Sequence, residues 1–293
     1  MEFELPSFAK INWTLRVLSR REDDYHELFT VFQTVSLHDT ISFEKSNKLE
    51  LTCDDPNIPT DAHNLMMKAA ILLSSQFAVG AGVRMHLRKR IPAPGGLGGG
   101  SSNAAVALIG LARFWELDPT IDLFSIAEEI GSDVPFFLVG GTAFGTGRGE
   151  VIEPVADIEA ENMLIVTPSL DVSTADVFGG LNAPALTKRA VENILSVCRK
   201  DWRSFDAERS ALKNDLEAGV FAAHPEIRRA KETLLELGAA NAAMSGSGAS
   251  VFAVFEKQET RQAAMKALDR ESTWRKFAVS AISRSEYREA LQL

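Results

Sequence analysis

Five of the six residues from Gly95 to Gly100 are glycine, interrupted only by Leu97, and Ser101, Ser102 and Asn103 follow directly. Backbone without Cβ atoms lets main-chain N–H groups come close to a ligand and reach φ > 0. A helix start adds unpaired N–H donors and the positive end of a dipole. The stretch IPAPGGLGGGSSNAA, Ile91 to Ala105, therefore reads as an anion site, most readily one for phosphate. A flexible linker is the alternative, but linkers of that composition do not usually run straight into an amphipathic helix. Here Ala104, Ala105, Leu108, Leu111, Ala112 and Trp115 recur at helical spacing.

The elements that must position this loop are readable on both sides of it. Val83, Met85 and Leu87 alternate with Arg84, His86 and Arg88, and Ile91-Pro92 ends the alternation. The order is strand, glycine loop, helix. No Lys follows the last glycine as in a Walker A loop. The glycines are contiguous, and no acidic ribose-binding residue is recognised about twenty positions on, so the dinucleotide fingerprint does not fit either. Arg88, Lys89 and Arg90 precede the loop, consistent with a small anionic ligand or with a solvated strand end.

The 293-residue chain is 45% hydrophobic and carries a formal charge of −9, which argues against a general nucleic-acid binder. Cys53 and Cys198 show no C-x-x-C spacing and read as free thiols of a reducing compartment. His26, His38, His63, His86 and His224 form no metal-ligand pattern. The start of the chain lacks a signal-peptide pattern, and no apolar run reaches membrane-spanning length. A cytoplasmic protein without membrane partners is the expectation.

Further along, Ile11–Val17, Leu28–Leu37, Thr40–Glu44 and Leu49–Cys53 read as short strands. Ala62–Phe77 reads as a helix capped by Thr60 or Asp61, and Leu123–Ile130 as a short helix ending at Gly131. Gly131 to Pro135 reads as a loop, with strands at Phe136–Val139 and Thr142–Thr146. Beyond a seam near Ala156–Asn162, strands are expected at Met163–Thr167, Asn241–Ser245, Ser250–Phe255 and Phe277–Ile282. Helices are expected at Lys188–Arg199, Glu208–Ala222, Glu226–Leu237 and Thr260–Leu268. That half is a split βαβ pattern with helical insertions. The fold class is α+β in two domains, 1–157 and 158–293.

Three separated segments, PSFAKIN (Pro6–Asn12), PAPGGLGGGSSNAA (Pro92–Ala105) and MSGSGASVF (Met244–Phe252), resemble the galactokinase, homoserine kinase, mevalonate kinase and phosphomevalonate kinase superfamily. DDYHEL (Asp23–Leu28) and GSDVPFFL (Gly131–Leu138) narrow the resemblance to its 4-diphosphocytidyl-2-C-methyl-D-erythritol kinase family. The likeness covers nearly the whole chain. It implies a small-molecule kinase fold, with a ribosomal-S5-like ATP domain followed by a ferredoxin-like domain. It also implies ATP-dependent phosphorylation of the 2-hydroxyl of the cytidyl diphosphate ester, in the non-mevalonate isoprenoid pathway. One departure is Pro94, which lacks an N–H to offer a phosphate.

The resemblance assigns roles residue by residue. Asp133 becomes the base and Lys10 the cation that keeps it ionised and stabilises the moving phosphoryl group. Asn12 is implied to meet the acceptor's hydroxyls. Tyr25 and Phe178 are implied to stack on the pyrimidine, with His26 at its edge. Thr174 is assigned to the substrate diphosphate, and Asn64 and Lys89 to the adenosine. Gly95, Gly96, Leu97, Gly98, Gly99, Gly100, Ser101, Ser102 and Asn103 fall to the ATP phosphates, and Gly246 and Gly248 close the site. Magnesium is expected with ATP, Ser102 being the candidate protein ligand. Without the likeness, Asp133 reads as a loop anchor, Lys10 as a strand-end lysine, Tyr25 as a turn aromatic and Phe178 as core. Another kinase of the superfamily, or a non-catalytic nucleotide-binding module, stays open at this point.

Overall fold

The computed structural model of this chain describes residues 2–181 and 183–293. Two long antiparallel strands, β1 (Phe3–Arg20) and β2 (His26–Lys45), form its backbone. The sequence suggests three shorter strands here, Ile11–Val17, Leu28–Leu37 and Thr40–Glu44, the last two separated at His38-Asp39. Instead the pairing runs on through three register shifts, between Phe8 and Ala9, Asn12 and Thr14, and Val17 and Ser19. Pro6 is tolerated because β1 has a second neighbour only around Thr14 and Leu15, so its other edge is open at Pro6.

The same sheet takes in β3 (Glu50–Cys53), β4 (Val83–Arg88), β5 (Thr142–Gly147), β6 (Val151–Pro154) and β8 (Lys213–Asn214). Its face is covered by α1 (Leu65–Gln76), α2 (Gly99–Phe114), α3 (Leu123–Ile130) and α4 (Phe136–Val139). α1 starts three residues later than expected, because Asn64 rather than Asp61 accepts the capping bond, from Met66 N at 2.8 Å. α2 lies tight on the sheet: a Cβ at Gly110 would fall 2.1 Å from Phe43 Cζ. Phe136–Val139 is a helical turn and not the expected strand. A four-residue apolar run does not distinguish the two, and Pro135 at φ −57° with Gly140 at φ +69° sets the turn.

The second sheet has the order β11 (Trp274–Val279), β7 (Met163–Pro168), β10 (Val251–Val254), β9 (Asn241–Met244), antiparallel throughout. Together with α8 (Pro225–Glu236) and α9 (Gln258–Ala267) this is the ferredoxin-like arrangement that the split βαβ pattern implies. The insertions are α5 (Thr174–Gly179), α6 (Lys188–Trp202) and α7 (Glu217–Ala223). The expected helix over Glu208–Ala222 is shorter because Lys213-Asn214 extends to pair with β1. α5, β6 and the terminal α10 (Arg284–Leu291) carry no sequence signal strong enough to stand out.

The layers run helix, sheet, sheet, helix. Ile11, Trp13, Val31 and Phe144 of the first sheet share one core with Met163, Ile165 and Phe252 of the second. Trp13 meets Phe252 edge-on at 5.5 Å. Tyr287 and Leu291 of α10 return to the first core, so packing does not follow a linear division at 157.

Candidate active site

Lys10 sits mid-strand in β1, where its ammonium is nearly buried. Its Nζ lies 3.4 Å from Asp133 Oδ2 and donates to Asn12 Oδ1 at 2.8 Å. Asn12 Nδ2 donates in turn to Thr30 Oγ1, which donates to the Thr14 carbonyl. Lys10 and Asn12 share a strand face, and the chain of bonds fixes both rotamers. Asp133 lies in the turn between α3 and α4, and about a third of its side chain is open to solvent. The arrangement is a carboxylate presented to a cleft beside a held cation. It can accept a proton from an alcohol and stabilise negative charge next to it.

The cleft, about 600 Å³, is lined by Lys10, Asn12, Asp133, the loop from Pro92 to Ser101, and Gly246 to Gly248. The loop divides by task. Gly95 and Gly96 dock on the second sheet's turn: Ser250 N donates to Gly95 O, and Ser245 Oγ to Gly96 O. A Cβ at Gly96 would come within 2.2 Å of Ser245 O, at φ +70°. Asn214 Nδ2 holds that turn through the carbonyls of Met244 and Gly246, at 2.8 Å each. Gly98, at φ +67°, is the residue before α2, whose first turn carries the free N–H donors.

A second cavity of about 650 Å³ adjoins the first, and both are walled by Leu28, Gly131, Ser132, Arg148, Thr174 and Phe178. Tyr25 and His26 line it. Tyr25 is 56% exposed, high for an aromatic ring, and Arg148 sits 4.9 Å from its centroid. Phe178 faces His26 at 5.7 Å. The His26 Nε2 is buried without a partner, and burial, followed by the charge of Arg20, pushes the imidazole pKa down. An imidazole lining an aromatic-walled cavity suits a heterocyclic base.

Comparison with known proteins decides the family. The GHMP kinases N terminal domain model matches residues 64–141, and the GHMP kinases C terminal model residues 190–272. The 4-diphosphocytidyl-2-C-methyl-D-erythritol kinase of Syntrophus aciditrophicus is 38% identical over 94% of this chain and 97% of that protein. That of Caldanaerobacter subterraneus is 37% identical over 88% and 90%. The chain belongs to the 4-diphosphocytidyl-2-C-methyl-D-erythritol kinase family. A crystal structure of 4-(cytidine 5'-diphospho)-2C-methyl-D-erythritol kinase superposes with TM-score 0.77 at 34% identity, over 95% of this chain and 99% of that one. Homoserine kinase from Cytophaga hutchinsonii, at 20% identity and TM-score 0.68, shares the fold over 97% and 96%. The chain is an ATP-dependent kinase of this family.

Four residues expected at the ATP have side chains engaged by partners within the protein. Lys89 Nζ is turned inward, 2.8 Å from Asp39 Oδ2 and 2.6 Å from the Ile91 carbonyl. A nearly buried ammonium with these partners is not free for a ribose. The Asn64 side chain caps α1 and also donates to the Pro59 carbonyl. Ser102 is fully buried and accepts from Ser7 Oγ at 2.8 Å, so its hydroxyl is withdrawn from any metal in the cleft. Asn103 Nδ2 donates to Ser7 Oγ and Asp39 Oδ2. Two members of the basic run are paired, Arg88 with Glu4 at the surface and Lys89 with Asp39 in the interior. Asp39 and Arg148 are the residues that sequence reasoning missed. Asp39 sits inside the expected break between strands, and Arg148 in a Gly-Arg-Gly turn whose neighbours across the cleft are remote in sequence. Among the described residues no three acidic, His or Cys side chains cluster for a metal, and no helix is long and apolar enough to cross a membrane.

Proposed function

We infer that this chain transfers the γ-phosphoryl group of ATP to the 2-hydroxyl of 4-diphosphocytidyl-2-C-methyl-D-erythritol, as the names of its relatives suggest. One observation carries the reading: a cavity walled by Tyr25, His26 and Phe178 opens into the cleft that holds Lys10 and Asp133. A substrate with a pyrimidine at one end and an alcohol at the other, joined by a diphosphate, fits that succession. The base lies between Tyr25 and Phe178, with the His26 ring in the wall beside it. The diphosphate passes Thr174 and Arg148 at the junction, and the alcohol reaches Asn12 and Asp133.

The geometry supports the following course for the reaction. The 2-hydroxyl gives its proton to Asp133 as its oxygen attacks the γ-phosphorus in line, and ADP leaves. Lys10 balances the charge on the equatorial oxygens. The first turn of α2, with Gly99, Gly100 and Ser101, receives the ATP phosphates. Magnesium belongs to this reading as a partner of those phosphates. Among the described residues no cluster of three acidic, His or Cys side chains would hold it, so its partners in this reading are the phosphates themselves. A cytoplasmic location fits the two free thiols.

ADP release is measured with 4-diphosphocytidyl-2-C-methyl-D-erythritol, mevalonate and homoserine as acceptors. Turnover far higher with the cytidyl ester is the expected result. Equal turnover of mevalonate would overturn the substrate and leave the kinase family intact.

A further inference from the structure

Beneath the glycine loop lies a carboxylate that the chemistry above does not use. Asp39 is fully buried, on β2. Its Oδ1 accepts from the backbone N–H groups of Arg90 at 2.6 Å and Ile91 at 2.8 Å. Its Oδ2 accepts from Lys89 Nζ at 2.8 Å and Asn103 Nδ2 at 3.0 Å. Asn103 also donates to Ser7 Oγ, and Ser7 Oγ donates to Ser102 Oγ. One carboxylate thus ties together the end of β4, the entry to the glycine loop, the first turns of α2 and β1. Lys89 is placed directly behind the loop, since a Cβ on Gly99 would lie 3.2 Å from its ammonium.

A buried ion pair with full hydrogen bonding is weak evidence for extra stability, because apolar replacements often do as well. What such a pair supplies is a fixed geometry. The free N–H groups at the start of α2 can receive phosphates without reorganisation only if loop and helix are held before the ligand arrives. We propose that Asp39 is a positioning residue of the ATP site: its carboxylate, through Lys89 and Asn103, presets the glycine loop and the first turn of α2 for the nucleotide's phosphates. The proposal rests on the reading that this loop receives those phosphates.

Charge and position make opposite predictions, which makes Asp39→Asn informative. The substitution removes a negative charge behind the phosphate site and leaves the Lys89 cation unbalanced. Electrostatics alone would tighten nucleotide binding. Loss of positioning weakens it.

Binding of a non-hydrolysable ATP analogue with magnesium is measured by calorimetry, alongside the KM for each substrate and circular dichroism. Asp39→Asn is expected to weaken the analogue at least tenfold and raise the KM for ATP, with the KM for the cytidyl ester unchanged. Asn103→Ala, which retains the ion pair, is expected to do the same more mildly, by threefold or more, and serves if Asp39→Asn fails to fold. A lower melting temperature with unchanged or tighter analogue affinity in the folded variant would overturn the proposal and make the cluster a structural tie. Gly100→Leu separates the two readings. A Cβ at Gly100 meets nothing nearer than Leu65 Cδ1 at 3.8 Å, so the side chain fits the fold and intrudes on the cleft. Analogue affinity unaffected by Gly100→Leu would sink the phosphate-loop reading itself. Affinity lost in Gly100→Leu but kept in Asp39→Asn would sink only the role of Asp39.

Discussion

The Lys10 ammonium stands between two acceptors of different kinds, the neutral Asn12 amide oxygen at 2.8 Å and the Asp133 carboxylate at 3.4 Å. The shorter bond holds the lysine, and the longer one leaves Asp133 room to engage a hydroxyl. Asp133→Asn keeps the shape and removes the carboxylate proposed to accept the proton. A fall in kcat of about 10²-fold or more is expected from the loss of a general base, with KM for ATP little changed. Near-parental turnover would reduce Asp133 to a loop anchor. His26 offers a pH test. Its imidazole is held below the ordinary value of 6.5, chiefly by burial. Under acid the unfolded chain binds a proton that the folded one resists, so this contribution is intact above pH 6.5 and falls away as pH drops through the depressed value. The melting temperature of the parent should decline with acidification below pH 6.5, and less steeply in His26→Gln. Parallel curves for the two proteins would show that the ring titrates freely in the fold.

At the scale of elements, the glycine loop is a seam as well as the proposed phosphate site. Its first half grips the turn after β9 and its second half starts α2. Gly96 is the position where those tasks meet, because a Cβ there would strike backbone on the other sheet's turn. Gly96→Ala is therefore expected to cost about 1–3 kcal/mol, from a strained positive φ and an unrelieved contact. Denaturant melts should show a lower midpoint, and turnover should fall because Gly246 and Gly248 no longer close on the cleft. A melt unchanged from the parent would mean that the loop shifts freely. α5 works in the same spirit: a six-residue helix capped by Ser173 brings Thr174 and Phe178 to the junction of the two cavities.

Over the whole molecule, the two sheets share one core, and the last helix packs back on the first layer. Halves joined in this way should unfold together. Calorimetry is expected to give a single transition, and Trp13→Ala should lower it as a unit. The fully buried indole, wedged between the sheets against Phe205 and Phe252, is worth roughly 3–5 kcal/mol in such a truncation. Two resolved transitions, with only one of them moved by Trp13→Ala, would show independent domains divided as the linear pattern suggests.

By itself the sequence determined the strand–glycine loop–helix unit, the split βαβ half and the kinase family, because these rest on local periodicity, turn residues and contiguous motifs. It pointed to Lys10 and Asp133, Tyr25 and Phe178, which the structure brings to two adjoining cavities, but through likeness to a family rather than through any spacing between them. The placement of polar side chains was left to the tertiary structure. Lys89, Ser102 and Asn103 lie in or beside the loop's motif, yet their side chains turn inward, since Asp39 and Ser7 wait on strands more than forty residues away. Asn64 likewise is held by its own helix start. Which donors of a motif face the ligand and which face the core depends on what the fold packs behind them. That is a property of non-local neighbours, and no stretch of the chain carries it alone.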